Sequence, residues 1–306
     1  GELIMALALN EPEASWDGKA WEPSGITVSA AAVGDDYVID GTKLFVPDAQ
    51  VADYILCAAR TRDGGDPEDG ITLFLVDASS PGITCNLLVT TAGDKQCEVI
   101  FDKVKVSKNT IVGDLHGGWS PLERTLQQGA LLLCAQMVGA SQKLLELTVD
   151  YAKTRVQFEQ PIGINQYVQE YCVNLLTEVD SSWWLTYNAA WKLSQSLPAD
   201  IDVAMAKAWV SDSHERACWH AHQVYGGVGY TVHDGVLPLY SRRGKALQLY
   251  LGDAKHHLKK VAREMEKWPE PTKPKGKPLG LWDGVEEQRI PDWFDSFVKG
   301  EGMGGA

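Results

Sequence analysis

The sequence predicts an α+β fold in which a β-sandwich or β-barrel domain is followed by a four-helix bundle. Residues 1–115 carry short alternating or apolar runs separated by turn residues, a spacing typical of sandwiches and barrels. Residues 116–267 change to apolar positions three and four apart, the period of helices with one buried face. Residues 268–306 hold five prolines and a glycine-rich end, so they predict an extended tail.

The composition fits a globular protein and argues against several classes of function. At 306 residues the chain is long enough for two domains with a buried core. A formal charge of −13 opposes general binding to nucleic acid, which requires a basic surface. The six cysteines are far apart and contain no Cys-x-x-Cys, so we expect buried free thiols and no metal site. No apolar run reaches the roughly 20 residues of a membrane span and no signal-peptide pattern is present, so we expect a cytoplasmic protein.

The elements of the two domains follow from local patterns. Two apolar runs flank a Gly-Asp-Asp turn at Gly34 and predict a hairpin, and a polar, Gly-rich loop follows Ala59. Pro198 ends the second of four helices. Strands are expected at 26–33, 37–41, 52–59, 70–76 and 97–101, and helices at about 119–151, 165–197, 202–224 and 236–267.

The stretch from Gln223 to Lys255 is the most informative about function. It opens with Gln-x-x-Gly-Gly-x-Gly-Tyr, contains Arg242 and Arg243 further on, and closes on Gln-x-Tyr-x-Gly. A Gly-Gly turn lets the backbone approach a flat or charged group, because glycine adopts dihedral angles that other residues avoid. Taken alone, such glycines more often end a helix as a plain C-cap.

The order of these parts resembles the C-terminal signature of the acyl-CoA dehydrogenases. The resemblance implies that the Gln223 segment lies against the flavin adenine dinucleotide (FAD) of a neighbouring subunit. A second segment, Arg-Val-Gln-Phe-Glu-Gln-Pro-Ile, resembles the family's Arg-x-x-Phe-Gly-x-x-Ile, with Glu159 in place of the glycine. There the arginine binds the flavin pyrophosphate, for which a guanidinium fork is suited. The cofactor-binding residues that the resemblance implies are Arg155, Phe158, Gln166, Gln223, Val224, Tyr225, Gly226 and Gly227.

The β block resembles the middle domain of the same family over residues 6–12, 37–46 and 99–106. Two flavin contacts of the family are altered in it. The family's Thr-Glu-Pro-Gly-x-Gly-Ser becomes Asn-Glu-Pro-Glu-Ala-Ser-Trp, ending at Trp16, and its Trp-Ile-Thr becomes Phe-Val-Pro, ending at Pro47. Proline offers neither a hydroxyl nor an N–H group. We therefore expect FAD to be shared with a partner subunit.

The family's catalytic base has no counterpart in this sequence. The usual Tyr-Glu-Gly reads Tyr-Leu-Gly, which places Leu251 at the position of the glutamate. Some members carry the base on the first long helix, and that position matches Gly129, with Ala130 in place of the arginine that follows it. Asp253 and Glu123 are weak candidates for a relocated base, and as solvated or capping carboxylates they need no catalytic role.

The resemblance therefore implies an acyl-CoA dehydrogenase-type subunit without its own base, similar to the degenerate half of heteromeric bacterial enzymes. It would assist α,β-desaturation of an acyl-CoA thioester, in fatty acid or steroid side-chain β-oxidation, as a homo- or hetero-oligomer formed through the helical bundle. The family's N-terminal helical domain has no match here, so we expect either a fragment or a separate polypeptide that supplies it. The alternative is a non-catalytic scaffold on the same fold that binds acyl-CoA or a partner protein.

Overall fold

The computed structural model describes residues 1–14, 19–231 and 236–268. They belong to two compact units, residues 1–264 and residues 265–306, and of the second unit only 265–268 are described. The predicted tail at 268–306, with its aromatic residues, therefore lies almost entirely outside the described residues. Across the described part of the chain, no helix has the length and apolar character that crossing a membrane requires.

An eight-stranded sheet forms the N-terminal domain. Its strands run in the spatial order β6-β7-β3-β2-β4-β5-β8, and β1 pairs beside β4. The turn at Gly34, whose φ is +65°, joins β2 to β3 in the hairpin that the sequence predicts. The strands are β1 Met5–Ala8, β2 Ser29–Val33, β3 Asp36–Pro47, β4 Tyr54–Arg60, β5 Ile71–Asp77, β6 Ile83–Leu88, β7 Gln96–Ser107 and β8 Ile111–Val112.

The sheet folds over an apolar core of its own. β3 and β7 form the longest pairing, whereas β2 meets β4 through the single pair Ser29–Arg60. Ile39 and Phe101 of the first half pack in one cluster with Ile55 and Phe74 of the second half. Because side chains from both halves share this interior, the predicted sandwich or barrel is confirmed.

The C-terminal part of the described chain is mostly helical. Its helices are α1 Trp119–Thr154, α2 Gln166–Ser194, α3 Asp200–Tyr225, α4 Leu237–Leu249 and α5 Ala254–Met265, and the short hairpin β9 Val156–Gln157 and β10 Gln160–Pro161 lies between α1 and α2. Leu9, Ile71 and Leu73 of the β domain pack in one core with Trp119 and Leu122 of α1. The interface between the two domains is therefore apolar and closed at this point.

The fourth predicted helix, 236–267, is wrong as a single element. The structure ends α4 at Leu249 and starts α5 at Ala254, with an irregular turn between them. Tyr250 is extended, and both Leu251 (φ +58°) and Gly252 (φ +97°) have left-handed backbones. A helix cannot continue through such residues, because their carbonyl groups no longer point along its axis.

All six cysteines are free thiols, as expected, but only four are buried, because Cys172 is half-buried and Cys85 is exposed. Cys85 is exposed on the edge strand β6, so the expectation of buried thiols fails there. In the described residues, no cluster of three or more His, Cys, Asp or Glu side chains could hold a metal ion.

Candidate functional site

The ends of α1 and α3 are held together by an aromatic stack. The rings of Tyr151 and Tyr225 are parallel within 11°, with centroids 4.0 Å apart. Tyr225 also donates its hydroxyl hydrogen to the carbonyl oxygen of Leu147, at 3.1 Å. The stack fixes the segment that begins at Arg155 next to the segment that contains Gln223. We call the exposed surface that these two segments form the Arg155–Gln223 ridge.

A tight hairpin forms the first half of the ridge. Arg155 follows α1 directly, and its amide donates to the carbonyl of Tyr151 at 2.8 Å. Phe158 (φ +51°) and Glu159 (φ +68°) form the turn between β9 and β10. Two left-handed residues in succession favour glycine or asparagine, so a phenylalanine and a glutamate there store some strain. The turn leaves the Phe158 ring 97% exposed.

The second half of the ridge is the glycine turn after α3. Gly226 has φ +60° and ψ −142°, a region open in practice only to glycine. Gly227 is different, because its φ is not positive, and a Cβ atom built on it would meet no atom within 4 Å apart from its own residue and its chain neighbours. The packing of this chain therefore does not require glycine at 227. A glycine without a local reason fits close approach of the backbone to a group from outside the chain.

The ridge contains most, but not all, of the residues that the resemblance implies. Arg155, Gln166, Gln223, Gly226 and Gly227 are exposed, and Tyr225 is half-buried in the stack. Val224 differs from the others, because its side chain points into the protein and is only 7% exposed, so a contact to a cofactor from this position stays a prediction for its backbone alone. It follows an exposed residue on a helix, so its side chain lies on a different face.

The two positions that match the family's base meet in space. A Cβ atom built on Gly129 would lie only 2.6 Å from Cδ1 of Leu251. Leu251 is 8% exposed and belongs to the apolar core between the two domains. The side chain of Leu251 therefore fills the space beside Gly129, and neither position offers a group that can accept a proton.

Gly129→Ala tests this contact through the free energy of unfolding. Alanine favours a helix over glycine by about 1 kcal/mol, but its methyl group displaces Leu251 from a packed core. We expect Gly129→Ala to stabilise the Leu251→Ala variant and to stabilise the wild type less or not at all. Urea unfolding of the wild type, the two single variants and the double variant should give a coupling free energy of at least about 0.5 kcal/mol between positions 129 and 251. Additive effects would contradict the contact.

The two weak candidates for a relocated base lie in different surroundings. Asp253 accepts the amide of His256 at 2.8 Å and so caps the start of α5, although it also lines the cleft described below. Glu123 lies near Glu68, whose pKa is raised, chiefly by burial and further by the Glu123 charge. Asp253 therefore makes the expected capping contact, and a catalytic role for Asp253 or Glu123 stays a prediction.

Two buried residues that the sequence did not reveal hold the turn around Leu251. Lys207 is fully buried, and its ammonium donates to the carbonyls of Leu247, Gln248 and Gly252 at 2.8–3.1 Å. Burial lowers the pKa of Lys207 to about 8. His257 Nε2 donates to the carbonyl of Leu251 at 2.9 Å. These hydrogen bonds satisfy carbonyl groups that the end of α4 leaves unpaired.

A cleft of about 610 Å³ lies between the β domain and helices α4 and α5. Phe45 lines it from a bulge in β3, where its φ is +54°, and Trp21 meets Tyr250 edge-on at 5.4 Å. Asn10 also lines the cleft and is 6% exposed, and its Oδ1 has no hydrogen-bond partner among the described residues. An unpaired buried acceptor fits a bound N–H donor. The aromatic walls and this acceptor fit a planar, hydrogen-bonding ring such as a flavin.

Comparison with known proteins agrees with this geometry. Residues 116–266 match the family model described as acyl-CoA dehydrogenase, C-terminal domain, and residues 6–104 match the middle domain. A 3-(aryl)acrylate reductase of Clostridium sporogenes is 32% identical, with 87% of this chain and 70% of that protein covered. Subunit CarC of the caffeyl-CoA reductase-Etf complex of Acetobacterium woodii is 31% identical, with 75% and 60% covered. The butyryl-CoA dehydrogenase structure from Megasphaera elsdenii matches with a TM-score of 0.80 and 27% identity, covering 87% of this chain and 69% of that one.

This chain belongs to the acyl-CoA dehydrogenase family. It has the family's middle β domain and C-terminal helical domain in the order that the sequence predicts.

Proposed function

We propose that this chain is an acyl-CoA dehydrogenase-type subunit that lacks its own base and completes the FAD site of a partner subunit. The contact between Gly129 and Leu251 carries the proposal. Both positions that match the family's base are occupied by residues without a titratable group, and they pack against each other. A positioned general base contributes roughly a hundred- to ten-thousand-fold to such a reaction. In a working complex the carboxylate therefore comes from the partner.

The Arg155–Gln223 ridge supports a role toward a neighbour's cofactor. Its guanidinium, its aromatic ring and its glycine turn are all exposed in the single chain. FAD, when bound, supplies the hydride acceptor for α,β-desaturation of an acyl-CoA thioester. Arg155 is suited to hold the pyrophosphate by paired hydrogen bonds, Phe158 to cover an apolar part, and Gly227 to admit the close approach.

The cleft of this chain can hold a planar ring but offers no base at the family's position. Asn10 and the aromatic walls fit a planar ring, but Leu251 closes the core next to the position of the base. A thioester bound there would find no proton acceptor at that position. The relative from Acetobacterium woodii is described as a subunit of a complex, which supports assembly with other polypeptides. In this proposal the substrate is an acyl-CoA thioester of fatty acid or steroid side-chain β-oxidation.

Flavin retention tests the proposal. We expect the purified chain alone to keep little flavin, and a co-purified complex with a base-carrying subunit of the family to absorb near 450 nm. Arg155→Ala in this chain should weaken flavin retention by the complex at least about tenfold, because a charge-assisted hydrogen bond contributes roughly 1.5–3 kcal/mol. Lys153→Ala is the matched control, since Lys153 is exposed on the last turn of α1 but is not among the cofactor-binding residues.

Anaerobic addition of acyl-CoA separates the alternatives. Loss of flavin absorbance in the complex, but not in this chain alone, would support a shared site. Loss of flavin absorbance in this chain alone would contradict the shared site and indicate Asp253 as a relocated base. A complex that binds acyl-CoA but never flavin would favour the non-catalytic scaffold.

A further inference from the structure

Strands β6 and β7 bring two free thiols together at one end of the sheet. β6 is the last strand of the sheet and pairs with β7 alone among the described strands. In the register of this pair, Cys85 lies opposite Val99, and Leu87 lies opposite Cys97. Residues that are opposite each other, or two apart on one strand, share a face of the sheet. Cys85 and Cys97 are therefore diagonal neighbours on one face.

The two thiols contact each other but differ in their access to solvent. Partial burial and, after it, a hydrogen bond with the Cys97 thiol raise the pKa of Cys85 to about 12. Cys85 is nevertheless an exposed residue, whereas Cys97 is 0% exposed and its thiol donates to Oε1 of Gln50 at 3.2 Å. A small oxidant from solution therefore meets Cys85 first, and Cys97 is the thiol positioned to react next.

The two cysteines flank a loop that forms one wall of the cleft. Residues 89–95 connect β6 to β7, with Cys85 before the loop and Cys97 after it. The residues of this loop that line the cleft of about 610 Å³ are Thr90, Thr91, Ala92 and Asp94. A covalent bond between the two thiols would hold both ends of the loop at a fixed separation and so restrict this wall of the cleft.

We propose that Cys85 and Cys97 are a redox-sensitive pair that a small disulfide converts to a disulfide bond, which fixes the loop at the cleft. The Cys85 thiolate attacks one sulfur of the small disulfide, the bond between its two sulfurs breaks, and one thiol leaves. The Cys97 thiolate then attacks the Cys85 sulfur of this mixed disulfide and releases the second thiol. Two protein thiols are oxidised, one small disulfide is reduced, and the two protons of the protein thiols end on the released thiols.

The spacing of the pair makes the bond reversible. Diagonal neighbours in a sheet have Cα atoms about 7–8 Å apart, whereas disulfides usually require about 4.4–6.8 Å. Because β6 pairs on one side only, it can shift by the missing distance of about 1 Å. A bond closed by such a shift is strained, and strained or exposed disulfides are the ones that small thiols reduce.

Oxidised glutathione, added to the reduced chain, tests the proposal in the Cys172→Ser variant, which lacks the half-buried thiol of α2. We expect this variant to lose two hydrogens by intact mass without gaining a glutathione, and a digest to contain one peptide pair linked through Cys85 and Cys97. The rate should rise about tenfold per pH unit from about pH 7 to about pH 9, because the thiolate is the nucleophile. In the same background, Cys97→Ser should stop at the mixed disulfide on Cys85, and the exposed Cys85→Ser should not react.

Trypsin cleavage after the exposed Lys95 measures whether the bond fixes the loop. We expect oxidation to slow this cleavage at least about tenfold, because a protease requires local opening of the segment that it cuts. Dithiothreitol should restore the original rate. Cleavage after Lys153, which is exposed on the last turn of α1, is the matched control and should not change.

Two results would overturn the proposal. A protein that carries glutathione on Cys85 without closing the bond, or that does not react at any of these pH values, would show that Cys97 does not reach Cys85. A linked protein that is cleaved after Lys95 as fast as the reduced protein would show that the bond does not fix the loop. The inference goes beyond the proposed function, and mass and cleavage are measured without flavin, so neither result affects the flavin test.

Discussion

Acidification from pH 6.5 to pH 4 is expected to destabilise the protein steeply, because three buried histidines are neutral in the folded state. Burial lowers the pKa of His214 to about 4, that of His256 to about 4 and that of His257 to about 3, from 6.5. All three side chains lie on or against the helices that border the cleft and the Leu251 turn.

The direction follows from proton linkage. Below about pH 6.5 the unfolded chain protonates these imidazoles, whereas the folded chain does not until about pH 4. Unfolding therefore takes up as many as three protons in this window, and each contributes about 1.4 kcal/mol per pH unit. The stabilisation is fully present above the unfolded pKa and is lost as the pH falls, at up to about 4 kcal/mol per pH unit.

Urea unfolding at a series of pH values between about 7.5 and 4.5 measures this slope. His256→Gln removes one titrating group and should reduce the slope by about one proton, or about 1.4 kcal/mol per pH unit. An unchanged slope in His256→Gln would mean that His256 is protonated alike in the folded and unfolded states.

Lys43→Met is expected to lower the free energy of unfolding by about 3–5 kcal/mol, because it removes the buried ammonium that lies against the buried Glu11 carboxylate. Lys43 and Glu11 are 0% and 2% exposed, and their charged atoms are 2.6 Å apart. Glu11 also accepts the amides of Thr27 and Val28. This pair joins β3 to the segment that places Asn10 in the cleft, so its loss should also weaken any ligand that contacts Asn10.

The double variant Glu11→Gln/Lys43→Met is the control for this prediction. Glutamine keeps an oxygen for the amides of Thr27 and Val28 but carries no charge, so the double variant should recover much of the lost stability. Thermal or urea unfolding of the two single variants and the double variant gives the coupling energy. A double variant that is less stable than both singles would contradict a buried ion pair as the cause.

Local pattern was sufficient for most of the architecture. The hairpin at Gly34 and the strands around it follow from apolar runs that a turn interrupts, and α1 to α3 follow from apolar spacing with Pro198 as a breaker. These features depend on neighbours in sequence, where sterics and burial of one face decide the conformation. The break between α4 and α5 was not predicted, because apolar spacing alone does not show where α4 ends. What ends it is the set of buried donors from Lys207 and His257.

Motif order likewise located the Arg155–Gln223 ridge, although it could not show that Val224 turns inward. Lys207 and the Tyr151–Tyr225 stack had no signal in the sequence, and the motif that contains Asn10 did not show that its side-chain oxygen is buried without a partner among the described residues. A buried polar or aromatic residue is recognised by its partner, and the partner is brought near only by the fold.

The sequence by itself determined the family, the domain order and the absence of a carboxylate at Leu251 and Gly129. Only the tertiary structure decided that these two residues, which lie on different elements, occupy one place, because packing of α1 against the Leu251 turn brings them within contact.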